Sequence, residues 1–138
     1  MQLAHEINLF AVFVCSLIAM GIGVLYHSPM LLGKIWIESM DKSEEDIEKN
    51  FKSIKTLSVS FLSQLVMMYV LALLISYANA TTPEEGLRVG FLAWIGFVGT
   101  TMTITYLYEG KTFKHFIVDS GYHFIVLLIN GFILGMWQ

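Results

Sequence analysis

The chain has 138 residues, 56% of them hydrophobic and 14% charged, with eight basic and eleven acidic side chains and a net charge of −3. A soluble domain carries about 25% charged residues, and the mean hydropathy here is +0.67. This composition excludes a soluble enzyme, a disordered chain and, without a basic patch, a nucleic-acid-binding module. The charges are also uneven, since eleven of them lie between Lys34 and Lys55. The lipid bilayer is the first partner such a chain requires.

A membrane helix needs about 20 mostly apolar residues to cross a hydrocarbon core of ~30 Å. The uncharged stretches run over 7–33, 56–83, 89–108 and 120–138. They predict helices at Ile7–Tyr26, Thr56–Ala78, Gly86–Tyr108 and His115–Trp137. Backbone polar groups in lipid must be satisfied within their own segment, which favours helices. The expected fold is all-α: one domain over residues 1–138, with four transmembrane helices in an antiparallel bundle and a helical cytoplasmic hairpin over 28–55.

Orientation is set by Lys and Arg, which cytoplasmic loops retain. The loop after the first span holds Lys34, Lys42, Lys49, Lys52 and Lys55, and that after the third holds Lys111 and Lys114, against Arg88 alone on the other side. The reading is a multi-pass protein of the cytoplasmic membrane with both termini outside. The start, Met-Gln-Leu-Ala-His-Glu, lacks the basic region of a signal peptide, so the first span is expected to be retained. Cys15, the single cysteine, reads as a small packing residue in that span.

Within the loop, Ser28-Pro29 suits a helix start, with Leu32 and Trp36 on the apolar side of a short interfacial helix. Ser43-Glu44-Glu45-Asp46 reads as a second start, with acids where the macrodipole favours them. Ile47, Phe51 and Ile54 recur at helical spacing, and Glu45–Lys49 and Glu48–Lys52 pair across one turn. No Gly or Pro interrupts the run before Val59, so the second membrane helix is expected to project several turns beyond the bilayer.

Ionisable groups inside spans are costly and usually face the protein interior. Asp119, His123 and Asn130 share one face of the fourth helix. Trp94, Thr101, Thr105 and Tyr108 share a face of the third, which ends at Glu109, and Ser60 and Gln64 lie on one side of the second. His27, Glu109, Asp119 and His123 lie toward the cytoplasmic end. Together with Gln64, Asn130, Tyr106 and Tyr108 they make one candidate polar site.

His and carboxylates can hold a metal or relay protons. Asp119 and His123 supply only two ligands, and His27 and Glu109 are the only further candidates, so pairing of Asp119 with His123, Tyr106 or Lys114 is the better reading. Glu109-Gly110 equally reads as a helix end with a glycine cap. No nucleophile elbow or phosphate loop is present, so no catalytic site is assembled and no cofactor is called for.

Ala11, Cys15, Ala19 and Gly23 form a small-residue stripe, and Gly86/Gly90 and Gly131/Gly135 are Gly-x-x-x-Gly pairs. Gly131 and Gly135 turn away from Asp119, and on that ground a homo-oligomer, a dimer first, is expected with the fourth helix at its interface.

Two stretches carry a resemblance. Leu25-Tyr26-His27-Ser28-Pro29 continues through Leu32-Gly33-Lys34 to Trp36, and Tyr106-Leu107-Tyr108-Glu109-Gly110-Lys111 precedes Asp119-Ser120-Gly121-Tyr122-His123. In this order and spacing the chain resembles, over nearly its whole length, the small membrane proteins grouped as domain of unknown function 1761. The resemblance implies a four-helix integral membrane protein and no established activity, substrate or cofactor. In the family pattern an aromatic pair precedes Ser-Pro, whereas here His27 comes after Tyr26.

The sequence supports three readings of function. The preferred one is a unit that binds or transports a small solute, proton or cation, its cavity lined by the polar face of the fourth helix and the Thr/Tyr face of the third. The others are a membrane-embedded enzyme using Asp119, His123 and Glu109 on a lipophilic substrate, and an accessory subunit whose polar groups are structural. The particular ligand is not legible.

Overall fold

The computed structural model describes residues 2–3, 5–28, 33–38, 40 and 42–138. Every regular element among them is helical: α1 (Leu9–Tyr26), α2 (Gly33–Glu38), α3 (Glu44–Lys52), α4 (Ile54–Tyr77), α5 (Pro83–Ala93), a π-helical turn (Trp94–Gly99), α6 (Thr100–Glu109) and α7 (Phe113–Met136). Four helices are long and apolar enough to cross a membrane: α1, α4, the run Pro83–Glu109, and α7. Many of their outward side chains are large and apolar, among them Leu9, Phe10, Leu62, Phe97 and Leu107, as contact with lipid requires.

Local chemistry sets the ends. Asn8 caps α1 by accepting the Ala11 N–H at 3.0 Å. Thr82 and Glu85 form a reciprocal capping box that starts α5, a turn earlier than the expected Gly86. Gly110 ends α6 in the left-handed region, at φ 65°, where glycine carries no Cβ penalty.

Ser43 caps α3, and the Lys49–Glu45 and Lys52–Glu48 pairs close at 3.5 and 2.6 Å. The Lys52 ammonium holds the exposed Glu48 carboxyl below its ordinary range. The projecting second span is corrected. Ser53 is extended (φ −63°, ψ 130°), so α3 and α4 are separate helices in contact. A continuous helix would carry Ile47 and Phe51 into water, whereas the break lets Ile47 be buried. The expected Ser28–Pro29 start and the Leu32 partner of Trp36 involve positions outside the described residues.

The core is the meeting of α1, α4 and α7. Ala11, Cys15 and Ala19 present no bulk and are fully buried, packed in one cluster with Met68, Leu71 and Val126. At one end the His5 N–H donates to Ser76 Oγ at 3.2 Å, and Trp137 stacks edge-on against Phe10. At the other end the Tyr26 hydroxyl donates to the Val118 carbonyl at 2.7 Å.

The most extensive contact joins α5 to α7, and it corrects the placement of the glycines. A Cβ on Gly131 would stand 2.6 Å from the Gly86 carbonyl oxygen, and one on Gly86 would stand 2.7 Å from the Gly135 Cα. The two Gly-x-x-x-Gly pairs face each other, backbone on backbone. Gly131 and Gly135 therefore point at α5, and the surface on which the dimer was argued is already occupied within the chain.

Candidate functional site

The third span is interrupted by the π-helical turn Trp94–Gly99. On a straight helix Trp94, Thr101, Thr105 and Tyr108 would share a face. A π turn inserts about one extra residue and rotates the rest of the span by roughly 100°. The inward series becomes Trp94, Gly99, Met102 and Tyr106. Trp94 Nε1 donates to the Ser120 carbonyl at 2.9 Å. Thr101, Thr105 and Tyr108 are exposed, and the Thr105 hydroxyl donates to its own helix at Thr101 O. The Thr/Tyr face therefore lines no interior cavity.

Tyr106 instead reaches α7. Its hydroxyl donates to Asp119 Oδ2, and His115 Nε2 lies 3.1 Å from the same oxygen. His115 is one turn before Asp119 and its side chain is only 5% exposed. Asp119 thus pairs with Tyr106, as one of the expected alternatives had it, and with His115, which the sequence reading passed over. A cleft of about 860 Å³ opens beside this trio, with Trp36, Lys42, Lys111 and Glu109 on its wall. Glu109 is exposed and pairs with Lys111 at 3.0 Å.

A second group forms where α1, α4 and α7 meet. Tyr122 donates its hydroxyl proton to the Ala19 carbonyl at 2.9 Å. The same oxygen accepts a hydrogen bond from Gln64 Nε2 at 3.1 Å. Gln64 Oε1 is left buried with no partner, as is His123 Nδ1. His27 Nδ1 donates to the Gly23 carbonyl at 2.9 Å, and its ring packs against Tyr122 at 5.4 Å and Trp36 at 5.0 Å. His27, Gln64, Tyr122 and His123 line a half-open pocket of about 350 Å³, completed by Met20, Phe51, Leu57, Ser60 and Met67.

The single site expected from sequence is thus divided. Asp119 and Glu109 border one pocket, with Tyr106 behind Asp119, and His27, Gln64 and His123 border the other. Asn130 borders neither; it is fully buried, with both amide atoms unpartnered. Tyr108 is 90% exposed and belongs to neither group. Among the described residues no three His, Cys, Asp or Glu side chains stand together as metal ligands.

Glycine makes the junction possible. A Cβ at position 121 would lie 2.8 Å from the Tyr26 hydroxyl, and one at position 23 would lie 3.0 Å from that of Tyr122. Tyr26-His27 and Gly121-Tyr122-His123, far apart in the chain, therefore meet.

The architecture defines an all-helical protein of the multi-pass membrane class, four of its helices being able to span. The chain belongs to the family described as Protein of unknown function (DUF1761), whose model matches residues 10–135. No curated protein and no solved structure matches it.

Proposed function

We propose that this protein is a small membrane-embedded binding unit, with its site in the pocket between α1, α4 and α7. In this reading the helices form an antiparallel bundle with both termini outside, and the pocket lies toward the cytoplasmic loops. The observation that carries it is the pair of orphaned atoms, Gln64 Oε1 and His123 Nδ1, beside an open 350 Å³ volume. A buried acceptor without a partner costs ~1–3 kcal/mol, a cost that a bound molecule relieves. The volume lies within the range of about 300–1,000 Å³ typical of small-molecule sites. The enzyme reading on Asp119, His123 and Glu109 lacks a common site, since His123 borders the other pocket. The donors that do meet Asp119, from Tyr106 and His115, end on one carboxylate oxygen, an arrangement that suits holding α6 against α7.

The test uses 1-aminoanthracene, a fluorescent amphiphile, titrated against the protein in nanodiscs. The wild type should enhance its emission saturably. Ser60→Trp, which fills the pocket, should abolish that component at unchanged helix content. Equal emission from the two proteins would defeat the reading.

A further inference from the structure

The direction of the hydrogen bonds around Tyr122 dictates what the pocket can accept. A tyrosine hydroxyl has one proton, and Tyr122 gives it to the Ala19 carbonyl. Its oxygen can then only accept from Gln64, which fixes the amide with nitrogen toward Tyr122 and Oε1 away from it. Gln64 Oε1 is therefore an acceptor, and the residue is only 7% exposed. His27 adds a second acceptor. With Nδ1–H committed to Gly23, the neutral ring offers only the lone pair of Nε2. His123 Nδ1 serves in either sense according to its tautomer, so the two acceptors ask for a ligand that donates.

No carboxylate lines the pocket, and a cation buried without a counter-ion is costly. A neutral donor fits better than an ammonium. Apart from the hydroxyls of Thr56, Ser60 and Ser63, the last of which donates to its own helix at Val59 O, the rest of the wall is apolar, and its rim is open. Val24 of α1 is 57% exposed and Val59 of α4 is 55% exposed, both in membrane-spanning helices. On the binding reading above, the mouth opens between these two apolar helices, on the side a lipophilic molecule reaches by lateral diffusion.

From these observations we infer that the pocket takes a neutral lipid-like alcohol, whose hydroxyl donates to Gln64 Oε1 and whose apolar body lies along Val24, Leu57 and Val59. The inference rests on the binding reading above and names its ligand class. It also explains why Gln64 can be exchanged safely. Tyr122 keeps its proton on Ala19 when the amide is gone, so Gln64→Leu removes an acceptor without stranding a donor.

The experiment is displacement of 1-aminoanthracene from the full chain in phosphatidylcholine nanodiscs by 1-decanol, 1-methoxydecane or decyltrimethylammonium, compared at equal membrane mole fraction. On the wild type, 1-decanol should act at roughly tenfold lower mole fraction than its methyl ether, the worth of one hydrogen bond to a buried acceptor. Gln64→Leu should bring the two within about twofold, since the acceptor that distinguishes them is gone. Equal potency of alcohol and ether on the wild type would overturn the alcohol inference while leaving the binding site standing. Stronger displacement by the ammonium would overturn it in favour of a cation. Absence of saturable, Ser60→Trp-sensitive dye binding would remove the binding reading and the inference together.

Discussion

Replacing Gly86 by alanine tests the α5–α7 contact where it is tightest. The new Cβ would overlap the Gly131 carbonyl oxygen and lie 2.7 Å from the Gly135 Cα and 2.9 Å from the Gly135 nitrogen. Carbon atoms prefer about 3.5–4.0 Å, so the helices must part by roughly 1 Å. The obstacle is backbone, which has no rotamer to change. Such overpacking costs ~1–3 kcal/mol, and steric contact on three backbone atoms puts this site at the upper end. Alanine returns ~0.5–1 kcal/mol of helix preference, leaving a net loss of about 2 kcal/mol. Gly21 provides the control, because a Cβ there meets nothing within 4 Å. Gly21→Ala should gain the ~0.5–1 kcal/mol without penalty. The two variants should therefore differ by about 3 kcal/mol, or roughly a hundredfold in the unfolding equilibrium. Reversible unfolding in mixed micelles, monitored by far-ultraviolet circular dichroism, reads that difference directly. A Gly86→Ala protein as stable as Gly21→Ala would refute the backbone-on-backbone packing.

The Asp119 pairing and the charge pattern each give a further test. His115→Ala and Asp119→Ala should each destabilise, and the double variant should show a coupling of ~0.5–3 kcal/mol in the same assay; strict additivity would mean that the 3.1 Å pair contributes nothing. For the orientation proposed above, a thiol at Gln138 should be labelled in intact cells by an impermeant reagent while one at Lys49 is not. Labelling of Lys49→Cys from outside would reverse the topology.

The spans were legible because lipid demands long uncharged runs, and nothing else in this chain makes them. The α3 start was legible because Ser43 and the i,i+4 charge pairs act locally. Thr82-Pro83-Glu84-Glu85 carried an equally local signal for α5 that the hydropathy reading overran. Ser53 gave no comparable notice. Its break depends on where Ile47 and Phe51 find cover, which is a matter of tertiary packing. The π-helical turn is similar: no residue between Trp94 and Gly99 announces an extra residue per turn, yet it exchanges Thr105 for Tyr106 at the interface with α7.

For the candidate site, the residue types were readable and their partners only partly so. His115 lies four positions before Asp119 and was available to the same spacing argument that selected His123. Tyr122 was visible as part of a motif, but its hydrogen bonds reach Ala19 and Gln64 on other helices. Gly131 and Gly135 were correctly placed opposite Asp119 on their helix. What one helix cannot show is that α5 brings its own glycines to meet them.

The pocket also has a place in time. The third and fourth spans are joined by the short link 110–112, and Tyr106 and Asp119 are only 13 positions apart. That hairpin closes a small loop and gathers its contacts early. The partners of α1 are remote: Tyr26 and Val118 are separated by 92 positions, and Ala19 and Tyr122 by 103. Chains are made from the N-terminus, so α1 is synthesised well before α7 supplies Val118 and Tyr122 to it. Until α7 is in place, the Tyr26 hydroxyl lacks Val118, the pocket lacks a wall, and Gln64 has no tyrosine to orient it. The chemistry that would recognise a ligand comes into being only when α1 and α7 close on one another.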